Sequence, residues 1–190
     1  MQSTLDVERR PRILVYVMEQ DDPKKCTSAK LVRLGLARPL RSRRMIPRRA
    51  VVLNPLASTV LLPSDRERLE HGGLVAIDCS WNRSEQVFPS RFPGLNRCLP
   101  LLLPGNPVSY GRVGRLSSVE ALAASLIITG LSEHGRELLE IFKWGATFLT
   151  LNREPLTDYS QAKDQNEIRE LERAYFGTEG AEGQEAKSDQ

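Results

Sequence analysis

Asp78, Trp81, Thr27 and Asn106 each stand in a polar, turn-prone corner that closes an apolar run. Val15–Met18 leads to the segment Asp21-Asp22-Pro23-Lys24-Lys25-Cys26-Thr27, and Val51–Leu53 leads to Asn54-Pro55. Leu74–Ile77 leads to Asp78-Cys79-Ser80-Trp81, and Leu99–Leu103 to Pro104-Gly105-Asn106-Pro107. These residue types bind rather than hydrolyse. Backbone amides of such loops can pair with a purine edge, and Thr27 can hold a ribose hydroxyl. Ser117-Ser118 opens a helix whose free N–H groups suit a carboxylate. The π-face of Trp81 suits a cation or an alkyl chain. The pattern fits a neutral or zwitterionic small ligand carrying a purine. Plain structural roles compete with it: a packing tryptophan at 81, a turn-capping aspartate at 78.

Other chemistries lack their residues. No G-x-x-x-x-G-K-[ST] phosphate loop is present, and Gly111-Arg112-Val113-Gly114 is not a dinucleotide fingerprint. His71 and His134 both fall in predicted helices and are poor material for a triad or a zinc site. Cys26, Cys79 and Cys98 have no C-x-x-C spacing. They read as reduced thiols, with Cys79 a small buried filler.

The corners gain meaning from the elements that position them. In a parallel α/β sheet the strand carboxyl ends share one edge, and ligands bind in the crevice there. Strands are expected at Arg12–Glu19, Ala50–Leu53 and Leu74–Ile77, with a short one at Thr59–Leu62 and an extended run at Leu99–Leu103. Thr27 is the expected N-cap of a helix to Leu36, and Arg38 to Arg49 a basic connector. Ser64-Asp65-Arg66-Glu67 and Ser117-Ser118-Val119-Glu120 fit capping boxes. The second opens a nearly uncharged helix, Val119 to Thr129, which must be buried. A helix follows from Ser132 to Trp144. A long polar one runs from Asp158 to Phe176 and stops at Gly177. Residues 82–97 read as irregular. The fold class is α/β, with a parallel sheet in the first half and helices in the second. The expected division is 1–98, an α/β region with a basic surface, then 99–177, mainly helical, then a disordered Gly/Glu-rich tail, 178–190.

The chain has 190 residues and a net charge of only +3, but the charge is uneven. Residues 1–50 hold thirteen Lys/Arg against five acids, a balance of +8; residues 151–190 hold five against ten, a balance of −5. A basic half with an acidic tail suggests a polyanionic partner. Apolar runs are far shorter than the ~20 residues of a membrane span, and a signal-peptide core is missing from the start. A cytoplasmic protein is expected.

Taken in order, several segments carry a family resemblance: Asp21 to Thr27, Leu53-Asn54-Pro55, Asp78 to Trp81, and Asn106-Pro107 with Tyr110-Gly111. Leu116 to Ala121, Trp144-Gly145 to Asn152, and Tyr159 to Asp164 complete the set. From about residue 12 to 176 the chain resembles the small-subunit rRNA aminocarboxypropyltransferases of archaea and eukaryotes. Its compact length looks archaeal.

The resemblance implies a fold like the SPOUT RNA methyltransferases, with a trefoil knot, and S-adenosylmethionine as co-substrate. It implies transfer of the 3-amino-3-carboxypropyl group to N3 of a hypermodified pseudouridine, with 5′-methylthioadenosine released, by a monomer acting on small-subunit rRNA. Thr27, Leu53, Ile77, Asp78, Trp81, Leu101, Leu102, Asn106, Leu116, Ser117 and Ser118 are the expected cofactor contacts. Leu53 and Trp81 would wall off the methyl group. Asp78 and Trp81 are the expected catalytic pair, with Asp78 either pairing the ligand ammonium or acting as base. Lys24, Lys25, Lys30, Arg33, Arg41, Arg43 and Arg44 would hold the RNA. The family's N-terminal region has been likened to metal-binding modules, but here its D-x-x-K-C-T element has one cysteine, so no metal is expected. A methyltransferase of similar fold and a non-catalytic rRNA-binding assembly factor are the competing classes.

Overall fold

A computed structural model describes residues 9–17, 26–78 and 91–185, with side chains to residue 177. Among the described residues five strands form one sheet: β1 (Ile13–Val17), β2 (Arg38–Leu40), β3 (Val51–Leu53), β4 (Leu74–Asp78) and β5 (Leu95–Arg97). Their order is β2-β1-β4-β3-β5, and every pairing is parallel. The two central strands pair over five positions, from Ile13–Leu74 to Val17–Asp78. Both read as near-continuous apolar runs because both of their faces are covered.

One face of the sheet carries Ile13, Val15, Val51, Leu53, Leu74 and Ala76. Against it pack α1 (Thr27–Arg33), α2 (Arg66–Gly72) and the C-terminal helices α3 (Ser118–Ile128), α4 (Ser132–Glu140), α5 (Gly145–Leu151) and α6 (Arg153–Tyr159). The last described helix, α7, spans Gln165–Glu185. The main core therefore runs without a break across residue 98. Helix α3 is its centre: Val119, Leu122, Leu126 and Ile128 are fully buried. Each contributes about 1.5–3 kcal/mol. Leu14, Val52, Val75 and Ile77 form a smaller core on the other face, closed among the described residues by Leu40, Ile46 and Phe92.

Several boundaries differ from the sequence reading. The basic connector contains strand β2; Pro39 sits in this edge strand, where its missing N–H costs no ladder bond. Residues 95–97, read as irregular, form the other edge. Thr59–Leu62 shrinks to one bridge, Val60 to Cys98. Leu99–Leu103 is extended but pairs with no described strand. Cys26, not Thr27, caps α1, its Sγ accepting from the Ala29 N–H at 3.3 Å. That helix stops at Leu34, and Gly35 takes a positive φ of 71°. At 63–65 the chain makes a 3-10 turn. The Asp65 carboxylate accepts from the Leu62 N–H at 3.1 Å and from Arg97 at 2.9 and 3.1 Å, a largely buried ion pair joining this turn to β5.

The long helix expected from Asp158 is two helices, split at 160–164. Asp164 accepts from the N–H groups of Asn166 and Glu167 and restarts the chain as α7. Gly177 (φ 74°) interrupts α7 as expected, yet helical backbone resumes to Glu185, inside the stretch expected to be disordered.

Candidate active site

The chain leaves β1 toward β2 on one side and leaves β4 toward β5 on the other. The carboxyl ends of these neighbours therefore mark the switch point, where the crevice of an open parallel sheet lies. Asp78 is the last residue of β4, opposite Val17, on the helix-covered face. The Cys26 S–H donates to Asp78 Oδ2 at 3.0 Å. Burial, and then this bond to Asp78, push the Cys26 thiol up to about 11. Near neutral pH Cys26 is thus a protonated donor to the Asp78 carboxylate rather than a thiolate nucleophile. Thr27, next in the chain, is half-buried. Leu53 shares the helix face, but Ile77 points into the smaller core, so toward this crevice Ile77 offers backbone only. Trp81, with Lys24, Lys25 and Cys79, lies outside the described residues.

A second constellation gathers around Glu120, which is fully buried in the first turn of α3. Its Oε1 accepts from the N–H groups of Gly105 at 2.7 Å and Asn106 at 3.0 Å. Its Oε2 accepts from Asn106 Nδ2, Ser117 N and Ser117 Oγ, all at 2.7 Å. One carboxylate so ties the 105–106 corner to the start of α3 with five charge-assisted bonds. Gly105 also lets this corner pack on α5: a Cβ there would lie 2.6 Å from the Phe148 backbone nitrogen. Leu116 is buried, and Ser117 and Ser118 are half-buried at the helix start.

The extended segment 101–103, which leads into the 105–106 corner, is held largely by side chains. Leu101 donates its N–H to Glu172 Oε1 at 2.7 Å and accepts from the Tyr159 hydroxyl at 3.1 Å. Asn152 gives Leu103 a paired contact, accepting from its N–H and donating to its carbonyl, both at 2.8 Å. Leu102 O accepts from the Gly114 N–H at 2.9 Å. The side chains of Leu101 and Leu102 are buried. A purine edge would share this backbone with protein partners already in place. A cleft of about 410 Å³, lined by Leu103, Thr150, Pro155 and Phe176 among others, includes none of the expected cofactor contacts.

The expected RNA residues separate. Arg41, Arg43 and Arg44 follow the carboxyl end of β2, on the Asp78 edge, and are exposed. Arg43 donates to the Arg91 carbonyl and lies over the Phe92 ring, 5.2 Å from its centroid. Arg33 ends α1, which returns the chain toward the opposite edge. Lys30 is occupied internally: its amine donates to the Ile141 carbonyl at 2.5 Å and sits 4.5 Å from the centroid of the Phe142 ring.

Residues 51–176 match the family model described as ribosome biogenesis protein, C-terminal. A protein of Methanosarcina mazei named 16S rRNA aminocarboxypropyltransferase is 43% identical over 167 residues, 86% of this chain and 94% of its own. One of the same name from Thermoplasma acidophilum is 44% identical over 170 residues, covering 86% of this chain and all of its own. The solved structure of the SAM-dependent rRNA:acp-transferase from Vulcanisaeta distributa matches with a TM-score of 0.83 at 36% identity, over 95% of this chain and 100% of that one. The chain belongs to this aminocarboxypropyltransferase family. A second model, a possible Fer4-like domain in RNase L inhibitor, matches residues 11–44. That stretch holds a single cysteine, Cys26, whereas iron–sulfur clusters take several thiolates.

Within this family member, sequence reading found Glu120 only as a helix cap, and missed Cys26 as the partner of Asp78. It also missed Asn152, Tyr159 and Glu172 as supports of segment 101–103. Asn152 and Tyr159 sat inside matched motifs, which was a usable signal. So did Glu120, within Leu116–Ala121 and its capping box, although neither signal told of its bonds to Gly105 and Asn106.

Proposed function

We propose that this chain transfers the 3-amino-3-carboxypropyl group of S-adenosylmethionine to N3 of a pseudouridine, N1-methylated or not, in small-subunit rRNA during ribosome biogenesis. The observation that carries the reading is the match, nearly end to end, to relatives named for this transfer. S-adenosylmethionine supplies an activated alkyl group, with three electrophilic carbons on its sulfonium. The N3 proton is lost, a bond forms from N3 to the γ-carbon, and sulfur keeps the electron pair of the broken bond in 5′-methylthioadenosine. Selection among the carbons is a matter of which one is held in line with the nucleophile.

The residues fit such a ligand. Asp78 supplies an anion at the crevice for the ammonium, Thr27 a hydroxyl, Leu53 and Trp81 an apolar wall. Asn106, Leu116, Ser117 and Ser118 complete the contacts from a loop that Glu120 holds rigid. Asp78 serves better as the ammonium partner than as base, because the Cys26 S–H engages one oxygen and stabilises the anion. Arg41, Arg43 and Arg44, with Lys24 and Lys25, take phosphates. Residues 1–98 then face the RNA and 99–177 complete the cofactor site. The reading carries with it a SPOUT-like trefoil knot, a monomeric state and a cytoplasmic site of action.

Asp78→Asn tests the assignment, since it keeps shape and removes charge. A binding role raises the dissociation constant for S-adenosylmethionine with turnover recovered at saturation. A base role leaves binding intact and slows turnover, with partial rescue at high pH. A variant that binds and turns over like its parent removes Asp78 from the mechanism.

A further inference from the structure

The loop between Asn106 and Ser117 has both ends fixed on one atom. Asn106 Nδ2 and Ser117 Oγ each donate to Glu120 Oε2 at 2.7 Å. The chain between them bulges outward as a compact closed loop. Ser109 donates its N–H to Asn106 Oδ1 at 3.0 Å, and Gly111 and Gly114 turn it through positive φ of 76° and 75°. A Cβ at Gly111 would meet nothing within 4 Å, so glycine serves conformation there, not packing.

What the loop displays is unusual for a surface. Six large hydrophobic residues are exposed among the described residues, and three of them fall here: Val108 at 80%, Tyr110 at 62% and Val113 at 38%. Arg112 and Arg115 are exposed beside them, and no acidic residue lies between Asn106 and Ser117. An exposed aromatic face flanked by guanidinium groups is the chemistry of single-stranded RNA recognition: bases stack on the ring while arginines take phosphates.

We infer that this loop is an RNA-recognition element, in which Tyr110 stacks on an unpaired rRNA base near the target nucleotide and Arg112 and Arg115 contact the adjoining phosphates. The inference rests on the proposed rRNA transferase function and adds a surface to it. Its position follows from the anchors, since Asn106 and Ser117 are themselves proposed cofactor contacts. A base held by the loop would sit beside the group to be transferred.

The test uses the full chain with a labelled rRNA hairpin carrying the target, comparing the parent with Tyr110→Ala, Tyr110→Phe and the double variant Arg112→Glu, Arg115→Glu. Tyr110→Ala should weaken RNA binding about tenfold, in the range of one lost aromatic stack. Tyr110→Phe should stay within about twofold, because the face is kept. The double variant should flatten the plot of log affinity against log salt by about 1.4, two single-strand phosphate contacts. Affinity for S-adenosylmethionine and the melting temperature should hold, because these side chains are exposed. Parent-like RNA binding by Tyr110→Ala overturns the inference. So does equal loss in Tyr110→Phe, which would assign the hydroxyl rather than the ring, or lost cofactor affinity, which would make the loop a cofactor lid. A parent that binds no rRNA and releases no methylthioadenosine overturns the underlying function as well, which separates the two failures.

Discussion

Replacing Glu120 with Gln should damage the cofactor side of the site without changing its shape. The carboxylate accepts five hydrogen bonds, two on Oε1 and three on Oε2. With its NH2 on the Oε1 side, glutamine strands the Gly105 and Asn106 N–H groups; on the Oε2 side, where the Ser117 hydroxyl can turn and accept, it strands Asn106 Nδ2 and the Ser117 N–H, so two donors lose their acceptor either way. Flipping the Asn106 amide would not rescue it, because Asn106 Oδ1 already accepts from Ser109. Each unsatisfied buried donor costs about 1–3 kcal/mol, so about 4 kcal/mol in all. For a chain of this size that lowers the melting temperature by roughly 10 °C. The 105–106 corner and the start of α3 should loosen together, so affinity for S-adenosylmethionine should fall in the fraction still folded. Differential scanning calorimetry and binding titration below the transition measure both, with exposed Glu140→Gln as a control expected to stay within about 0.5 kcal/mol. A Glu120→Gln protein that melts within about 2 °C of the parent and binds normally would refute the cradle.

Cys26 should alkylate slowly. Its pKa lies at about 11 rather than the ordinary 9.0, so near neutral pH its thiolate fraction is about a hundredfold lower than that of a free cysteine, and reactivity should rise with a midpoint near 11. Peptide mass spectrometry after iodoacetamide treatment reads this residue by itself. Asp78→Asn should speed the reaction, because the carboxylate holds the proton on sulfur, and an unchanged rate would deny the Cys26–Asp78 contact. Gly105→Ala should abolish cofactor binding and destabilise the fold, since its Cβ meets the Phe148 backbone at 2.6 Å. Normal binding by that variant would mean the corner can move away from α5.

How far the sequence reading reached depended on range. The buried strands were legible at β1, β3 and β4 because runs such as Leu74–Ile77 are apolar throughout, which only a sheet covered on both faces requires. Helix α3 and its Ser117–Glu120 cap were legible for the same local reason. The edge strands were not. Arg38-Pro39-Leu40 and Leu95-Asn96-Arg97 look like loop, and only their neighbours β1 and β3 make them strands. The break before α7 was visible in Asp164-Gln165-Asn166-Glu167, a capping box that the long polar pattern masked. At the site, Asp78 was marked by its place after a strand. Its bond to Cys26 spans 52 residues, and the support of Leu101 by Glu172 spans 71. Contacts of that range leave no periodicity to read. Lys30 shows the same limit: its charge is legible, but the Ile141 carbonyl that its amine meets lies 111 residues away.

The central claim is that the alkyl chain moves, not the methyl group. Incubating the protein with carboxyl-labelled S-adenosylmethionine and unmodified small-subunit rRNA tests it directly. Label retained in the RNA, with 5′-methylthioadenosine as the released product, is the expected result. Unlabelled RNA with S-adenosylhomocysteine as the main product would contradict it and make the protein a methyltransferase.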